Sequence, residues 1–245
     1  MTMGISRRDW LSRSFLSLFW MTILTQFHLP KVWARLFSQK DKGGKGMPLP
    51  PQKPKGMVSV EEAIRGRRTV RAFSNKPMHL HQLSQCLWSG QGITEDHGNK
   101  RAAPSAGALY PLDLYAVVGP GGVEGLDTGV YHYKPEGHDL LQVVKGDKRE
   151  DVAMASLRQM WMSTAPVTLV ITADYRRITG KYGKRGIRYA LIESGHLGQN
   201  IFLQAEAMGL ACGIAGAFDD GRVIKAAGLP PTHEPLLLMP IGYRA

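Results

Sequence analysis

Residues 189–208 constrain the fold more than any other segment. Leu191, Ile192, Leu197, Ile201, Leu203 and Ala207 supply much of its apolar surface and lie on more than one side, which predicts a long helix enclosed by the rest of the chain. An enclosed helix needs other layers around it. Leu112, Leu114, Ala116 and Val118 alternate as a strand, Val130-Tyr131-His132-Tyr133 reads as another, 167–171 is a short continuous apolar run suited to a central strand, and 236–241 forms a last one. Ser59-Val60-Glu61-Glu62 has capping-box spacing and opens a short helix ending at Gly66. Leu80, Leu83 and Leu87 place a second helix over 79–90; 149–162 and 219–227 read as two more. Helices and strands mix without regular βαβ alternation, so the fold class is α+β and not a doubly wound sheet. No GxGxxG follows a strand, which argues against a built-in nicotinamide domain. Among 245 residues, 43% are apolar, enough for one sizeable core with chain left over for a tail.

That tail is the N-terminus. Ser6-Arg7-Arg8-Asp9-Trp10-Leu11 resembles a twin-arginine export signal with Trp10 in place of the usual Phe. The apolar run from Phe15 to Phe27 is broken by Ser17, Thr22, Thr25 and Gln26, and is shorter than the roughly 20 residues that span a bilayer. Val32-Trp33-Ala34 offers small residues where a signal peptidase reads. Residues 1–34 are therefore expected to be a signal segment, with a membrane anchor as the alternative. Export to the periplasm would use the twin-arginine machinery, and the membrane would be met only through this segment. Residues 35–56, with Gly43-Gly44, Pro48, Pro50-Pro51, Pro54 and five lysines, read as a solvated linker, leaving 57–245 as the domain. The net charge of +11 is uneven: residues 1–56 hold ten Lys/Arg against two Asp/Glu, and the rest is only about +3. No basic stripe remains, so nucleic acid is not the expected partner. Cys86 and Cys212 stand outside any CxxC spacing and read as buried free thiols; His79 and His81 have no cluster around them, so no metal site is expected.

Three segments carry chemistry. In Arg67-Arg68-Thr69-Val70-Arg71, an extended chain puts Arg67, Thr69 and Arg71 on one face, where two guanidiniums and a hydroxyl suit a phosphate; a solvated basic turn fits the same spacing. In Pro104-Ser105-Ala106-Gly107-Ala108-Leu109-Tyr110-Pro111, small side chains let backbone approach a flat ligand, although an ordinary loop looks alike. The small-residue run from Gly209 to Asp219 offers backbone N–H groups, or equally a strand packed tightly on a helix.

Together with the helix motif Glu193-Ser194-Gly195-His196 and the ending Met239-Pro240-Ile241-Gly242, these segments occur in the order and spacing of one family. The chain resembles the nitroreductase-like flavoproteins, specifically the SagB/ThcOx-type branch, from about Ser59 to Arg244. The resemblance implies an α+β sandwich with a mostly antiparallel central sheet flanked by helices, an intertwined homodimer, and FMN at the dimer interface. It implies Arg67, Arg68, Thr69 and Arg71 on the phosphate and ribityl chain, and Pro104, Ser105, Ala106 and Ala108 reaching the flavin from the partner chain. It further implies Gln159 at the pyrimidine edge, Ala215, Gly216 and Ala217 near flavin N5, and Arg244 as a remnant of a basic C-terminal tail. Ala108 stands where many relatives have Asn, which removes one side-chain hydrogen bond.

The function so implied is an FMN-dependent oxidoreductase. Ping-pong hydride transfer through N5 would run from a reduced donor such as NAD(P)H to a nitro, quinone or related small acceptor. Two alternatives are an azoline-type peptide dehydrogenase and a flavin-binding protein without turnover. Lys181-Tyr182 resembles the pair with which azoline oxidases of this branch abstract a proton; amid Arg176, Arg177, Lys184 and Arg185 it also reads as a basic loop. His196, on the long helix, is expected to be a hydrogen-bonded structural residue.

Overall fold

The computed structural model describes residues 46–95 and 100–245. The expected signal segment at 1–34 and the first part of the linker lie outside the described residues. Among the described residues seven strands make one antiparallel sheet: β1 (Met47–Pro48), β2 (Leu112–Val118), β3 (Gly129–Lys134), β4 (Asp139–Lys145), β5 (Val167–Ala173), β6 (Ala211–Cys212) and β7 (Glu234–Gly242), in the order β1-β4-β3-β2-β5-β7-β6. The α-helices among the described residues are α1 (Val60–Gly66), α2 (Leu80–Gln91), α3 (Arg149–Ala155), α4 (Arg176–Tyr182), α5 (Arg185–Ala207) and α6 (Asp220–Ala227).

Strand periodicity sorts the side chains into two layers. Leu112, Leu114, Ala116 and Val118 of β2 pack with Leu83 and Leu87 of α2 and Leu197 and Ile201 of α5. The intervening Tyr115 and Val117 face the other way, against Val152 of α3 and Val223 of α6. Helices thus cover both faces, as expected of the sandwich. All seven residues of β5 are buried, which is why 167–171 reads as unbroken apolar sequence although its neighbours are antiparallel. Each leucine so enclosed contributes about 2 kcal/mol relative to exposure. Both cysteines are free and buried, as read.

Local chemistry sets the helix ends. Ser59 Oγ accepts from Glu62 N–H and Glu62 returns a bond to Ser59 N–H, completing the capping box on α1. Asp219 caps α6, and Gly228 ends it in the left-handed region at φ +62°.

Five expectations need correction. The helix expected over 149–162 stops at Ala155: Ser156 Oγ donates back to the Val152 carbonyl, and Leu157 and Arg158 turn left-handed at φ +53° and +58°. The chain resumes as a 3-10 turn, Met160–Thr164. The basic loop expected around Lys181 is helix α4, anchored where Asp174 accepts from Arg176 at 2.7 Å. The long helix is not enclosed all round. Ala190, Glu193, Leu197, Ile201 and Ala205 face inward, but Leu191 and Ile192 are each 49% exposed, and His196 is exposed too, so it is no buried structural residue. A helix on one side of a sheet has one stripe to bury; apolar counts alone do not show which positions share it. Last, the Pro-rich stretch before Met57 is not wholly solvated. Met47 and Pro48 pair with β4, Leu49 is buried, the Pro50 carbonyl accepts from Ser84 Oγ at 2.6 Å, and Lys53 N–H donates to Gln85.

Candidate functional site

α1 delivers the basic segment. Arg67 ends that helix in extended conformation (φ −52°, ψ 124°), and the chain runs on beside β6: Thr69 bridges Cys212, and Val70 N–H donates to the Cys212 carbonyl at 3.0 Å. The Arg67 guanidinium lies over Phe202 at 5.2 Å and that of Arg71 over Trp161 at 5.8 Å. Among the described residues neither they nor Arg68 form an ion pair with a carboxylate. Arg68 turns back instead, donating to the carbonyls of Arg65 and Arg67 at 2.8 Å, so it braces the backbone. Thr69 is exposed. Arg244 sits close by, bridged to Phe73, with its guanidinium 3.5 Å from Glu206.

The small-residue run closes on this segment. Gly213 N–H donates to the Pro240 carbonyl, and a β-carbon on Gly213 would stand 2.7 Å from both the Trp161 ring and the Val70 carbonyl oxygen. Only glycine fits there. Ala215 is buried and pairs with Leu238, whereas Gly216 and Ala217 are exposed, and a β-carbon on Gly216 would meet nothing within 4 Å. Gln159 donates to the Ala217 carbonyl at 3.1 Å. The break in α3 makes that contact available. Trp161, stacked on Phe73 with centroids 6.5 Å apart, joins the two walls; no motif in the sequence marks it.

The third segment lies elsewhere in the chain. Ser105 leads into the 3-10 turn Ala106–Ala108, and its Oγ accepts from Tyr110 N–H at 3.0 Å. Gly107 (φ +64°), Ala108 (φ +53°) and Tyr110 (φ +45°) are left-handed, strain of the sort that surrounding structure must hold in place. Pro104 and Ala108 are exposed. The holder is the end of α4: a β-carbon on Gly107 would lie 2.7 Å from Tyr182 Oη and 2.9 Å from Lys181 Nζ. Arg177, also on α4, donates to the Tyr110 carbonyl at 3.2 Å. Lys181 and Tyr182 therefore belong with the loop of Pro104, Ser105, Ala106 and Ala108.

Two carboxylates nearby have opposite electrostatics. Asp113 on β2 is pushed up by burial, but a hydrogen bond from His132 and the charges of Arg177, His132 and His233 outweigh that and hold it at about 2. Glu193 on α5 is pushed up to about 7 by burial, which the neighbouring Ser105, Gln91 and Arg101 only partly offset. A cavity of about 730 Å³ lies under the 51–60 strap against Trp88 and Leu203. None of the residues above lines it, so the donor chemistry, not the volume, locates the site.

The donor set fits a phosphate-bearing, flat ligand. Among the described residues the guanidiniums of Arg67 and Arg71 stand free of acidic partners, and Arg71 lies over Trp161, whose ring also closes on Gly213. The nitroreductase family model matches residues 64–243. A protein of Methanocaldococcus jannaschii assigned as a nitroreductase is 40% identical over 187 residues, 76% of this chain and 92% of that one. The microcin B17-processing protein McbC of Escherichia coli is 30% identical over 58% of this chain, which spans about half (54%) of McbC's length. A nitroreductase-type crystal structure from Ralstonia eutropha shares the fold, with a TM-score of 0.68 and 24% identity over 83% of this chain and 96% of the other. By the family match and the M. jannaschii relative together, the chain belongs to the nitroreductase family of oxidoreductases, with relatives on its SagB/ThcOx-type branch.

Proposed function

We propose that the protein is an FMN-dependent oxidoreductase acting as a homodimer, passing reducing equivalents from NAD(P)H or a like donor to a nitro, quinone or related small acceptor. The observation that carries this reading is the carboxylate-free pair Arg67 and Arg71, set beside the small-residue run by Gly213 and Trp161. Arg67, Thr69 and Arg71 would hold the phosphate and ribityl chain. Gln159 and the backbone at Ala215, Gly216 and Ala217 would line the ring, and Arg244 would reach the phosphate only by leaving Glu206. When bound between these residues, flavin would supply hydride-transfer chemistry that the side chains themselves do not. The 104–108 loop packs against the end of α4, on Lys181, Tyr182 and Arg177, and the reading has that loop reach the flavin of a second copy. The exposure of Ile187, Leu191 and Ile192 on α5 supports a site completed by that copy.

The test is spectral. The purified protein should carry or take up FMN and be bleached by NADH or NADPH without oxygen. A colourless protein that cannot be reconstituted with FMN rejects the reading; bound FMN that neither nicotinamide bleaches points to another donor or to binding without turnover.

A second reading, an azoline-type peptide dehydrogenase, is favoured by one feature: Lys181 Nζ and Tyr182 Oη both meet the strained turn at Gly107. A Lys181→Ala variant separates the two, because nitro or quinone reduction would survive it and proton abstraction from an azoline would not. Export by the twin-arginine route belongs to the same proposal. Replacing Arg7 and Arg8 by Lys should strand the protein in the cytoplasm, and unchanged export rejects it.

A further inference from the structure

Beneath the 104–109 loop lies a polar cluster with an unusual deficit of hydrogen bonds. Among the described residues five buried side-chain polar atoms lack a partner, and four are here: both carboxyl oxygens of Glu193, Gln91 Nε2 and Arg101 Nε. Glu193 is 2% exposed and Gln91 1%. Ser105, Gln91 and Arg101 stand close enough to Glu193 to favour its ionised form, but none is aligned to donate to it. Arg101 donates to Gln91 Oε1 and to Glu136, each at 2.9 Å, and its guanidinium stacks 4.4 Å from the Tyr110 ring. Arg101 N–H also donates to Tyr110 Oη, and Tyr110 N–H to Ser105 Oγ. Both ends of the loop are therefore tied to the groups that surround one carboxyl.

We propose that Glu193 is a positioning residue for this loop: as the neutral acid it leaves the loop seated, and as the carboxylate it draws the idle donors of Arg101, Gln91 and Ser105 toward itself and loosens the loop. That the loop then acts on a flavin rests on the function proposed above.

The surrounding charges favour a reversible device. From the segment after α2 the acting charge is Arg101, already paired with Glu136 of the β3–β4 turn. α2 presents the uncharged Gln91. From the loop come Ser105 and Tyr110, and from α4 Lys181 and Tyr182 reach Gly107 on the loop's other side, Tyr182 resting edge-on against Tyr189 of α5. Burial pushes the Glu193 carboxyl up to about 7, so its proton exchanges near neutrality.

The experiment is hydrogen exchange of the 101–112 peptide in the full-length apo protein at pH 6 and pH 8, corrected for intrinsic rates, beside FMN retention at the same pH values. Wild type should lose loop protection as pH rises, by up to about tenfold per pH unit, the ceiling for one linked proton. Glu193→Gln, a neutral isostere, should keep its pH 6 protection at pH 8, and FMN retention should follow the same two patterns. A pH dependence in Glu193→Gln equal to that of wild type, or none in wild type, overturns the proposal. Should Glu193→Gln fail to fold, Ser105→Ala keeps the carboxyl and removes an anchor. A smaller fall in protection between pH 6 and pH 8 than in wild type supports the proposal, and a fall equal to that of wild type overturns it. If exchange follows the expected pattern while FMN binds at no pH, the flavin reading fails and the positioning role stands.

Discussion

Replacing Glu193 by Gln should make the protein more stable at pH 8 relative to wild type than it is at pH 5. Burial pushes this carboxyl from 4.5 to about 7, against the smaller pull of Ser105, Gln91 and Arg101. The folded chain then holds a proton that the unfolded chain has released. The group's full stabilising contribution is present below about pH 4.5 and is withdrawn as pH rises through about 7. At about 1.4 kcal/mol per pH unit of separation, the loss is about 3 kcal/mol. The side chain is nearly inaccessible, so solvent screening takes little from that figure. For a folded body of this size 1 kcal/mol moves Tm by roughly 2–4 °C, and the two proteins' Tm difference should change by roughly 6–12 °C between pH 5 and pH 8.

The assay is thermal or urea unfolding of both proteins at pH 5, 6, 7 and 8. Other groups do not confuse it. Asp113, held at about 2, and Cys86, pushed up to about 12 by burial, titrate outside that window. His233, pulled down chiefly by burial, is common to both proteins and drops out of the difference. Parallel stability profiles for wild type and Glu193→Gln would refute the reasoning, because the carboxyl would then not hold its proton more tightly in the folded state.

Arg71→Ala should weaken FMN binding by about tenfold to a hundredfold, the worth of one or two charge-assisted hydrogen bonds, and leave the unfolding midpoint nearly unchanged; full FMN occupancy rejects the clamp. Gly213→Ala should cost about 1–3 kcal/mol, because the added carbon meets the Trp161 ring and the Val70 carbonyl at 2.7 Å, and the displaced ring should shift tryptophan emission. Asp113→Asn should cost about 2 kcal/mol at pH 7, since its contribution is present above about pH 4 and fades as pH falls toward 2. Urea unfolding from pH 3 to 7 should show the gap between mutant and wild type narrowing below pH 4.

What could be read from the sequence follows where each determinant resides. Ser59 with Glu62, and Asp219 at the start of α6, bond to backbone within a few residues, so local order suffices to place those helix starts. β2 and β5 announce themselves because side chains of one strand answer to layers on fixed sides. β4 does not: its burial is patchy, and its register with β3 slips at Val130 and Tyr131. The stop after Ala155 depends on two left-handed residues, Leu157 and Arg158, that no propensity favours. The segment at 46–53 is held by Ser84, Gln85 and His138, more than thirty residues away, which composition cannot see.

The same division runs through the site. Spacing alone marks 67–71 as a cationic edge, and small side chains mark 104–108 and 213–217 as places where a backbone can be approached. Closure adds what spacing lacks. Trp161 becomes part of a wall only because the broken helix turns it onto Phe73 and under Arg71. Glu193 stands in sequence as one more polar residue on an amphipathic helix; packing strips it of water and of aligned donors, and that makes its proton matter. The chemistry a chain can offer is thus written locally, whereas the protonation state in which it is offered is set by what the fold places around it.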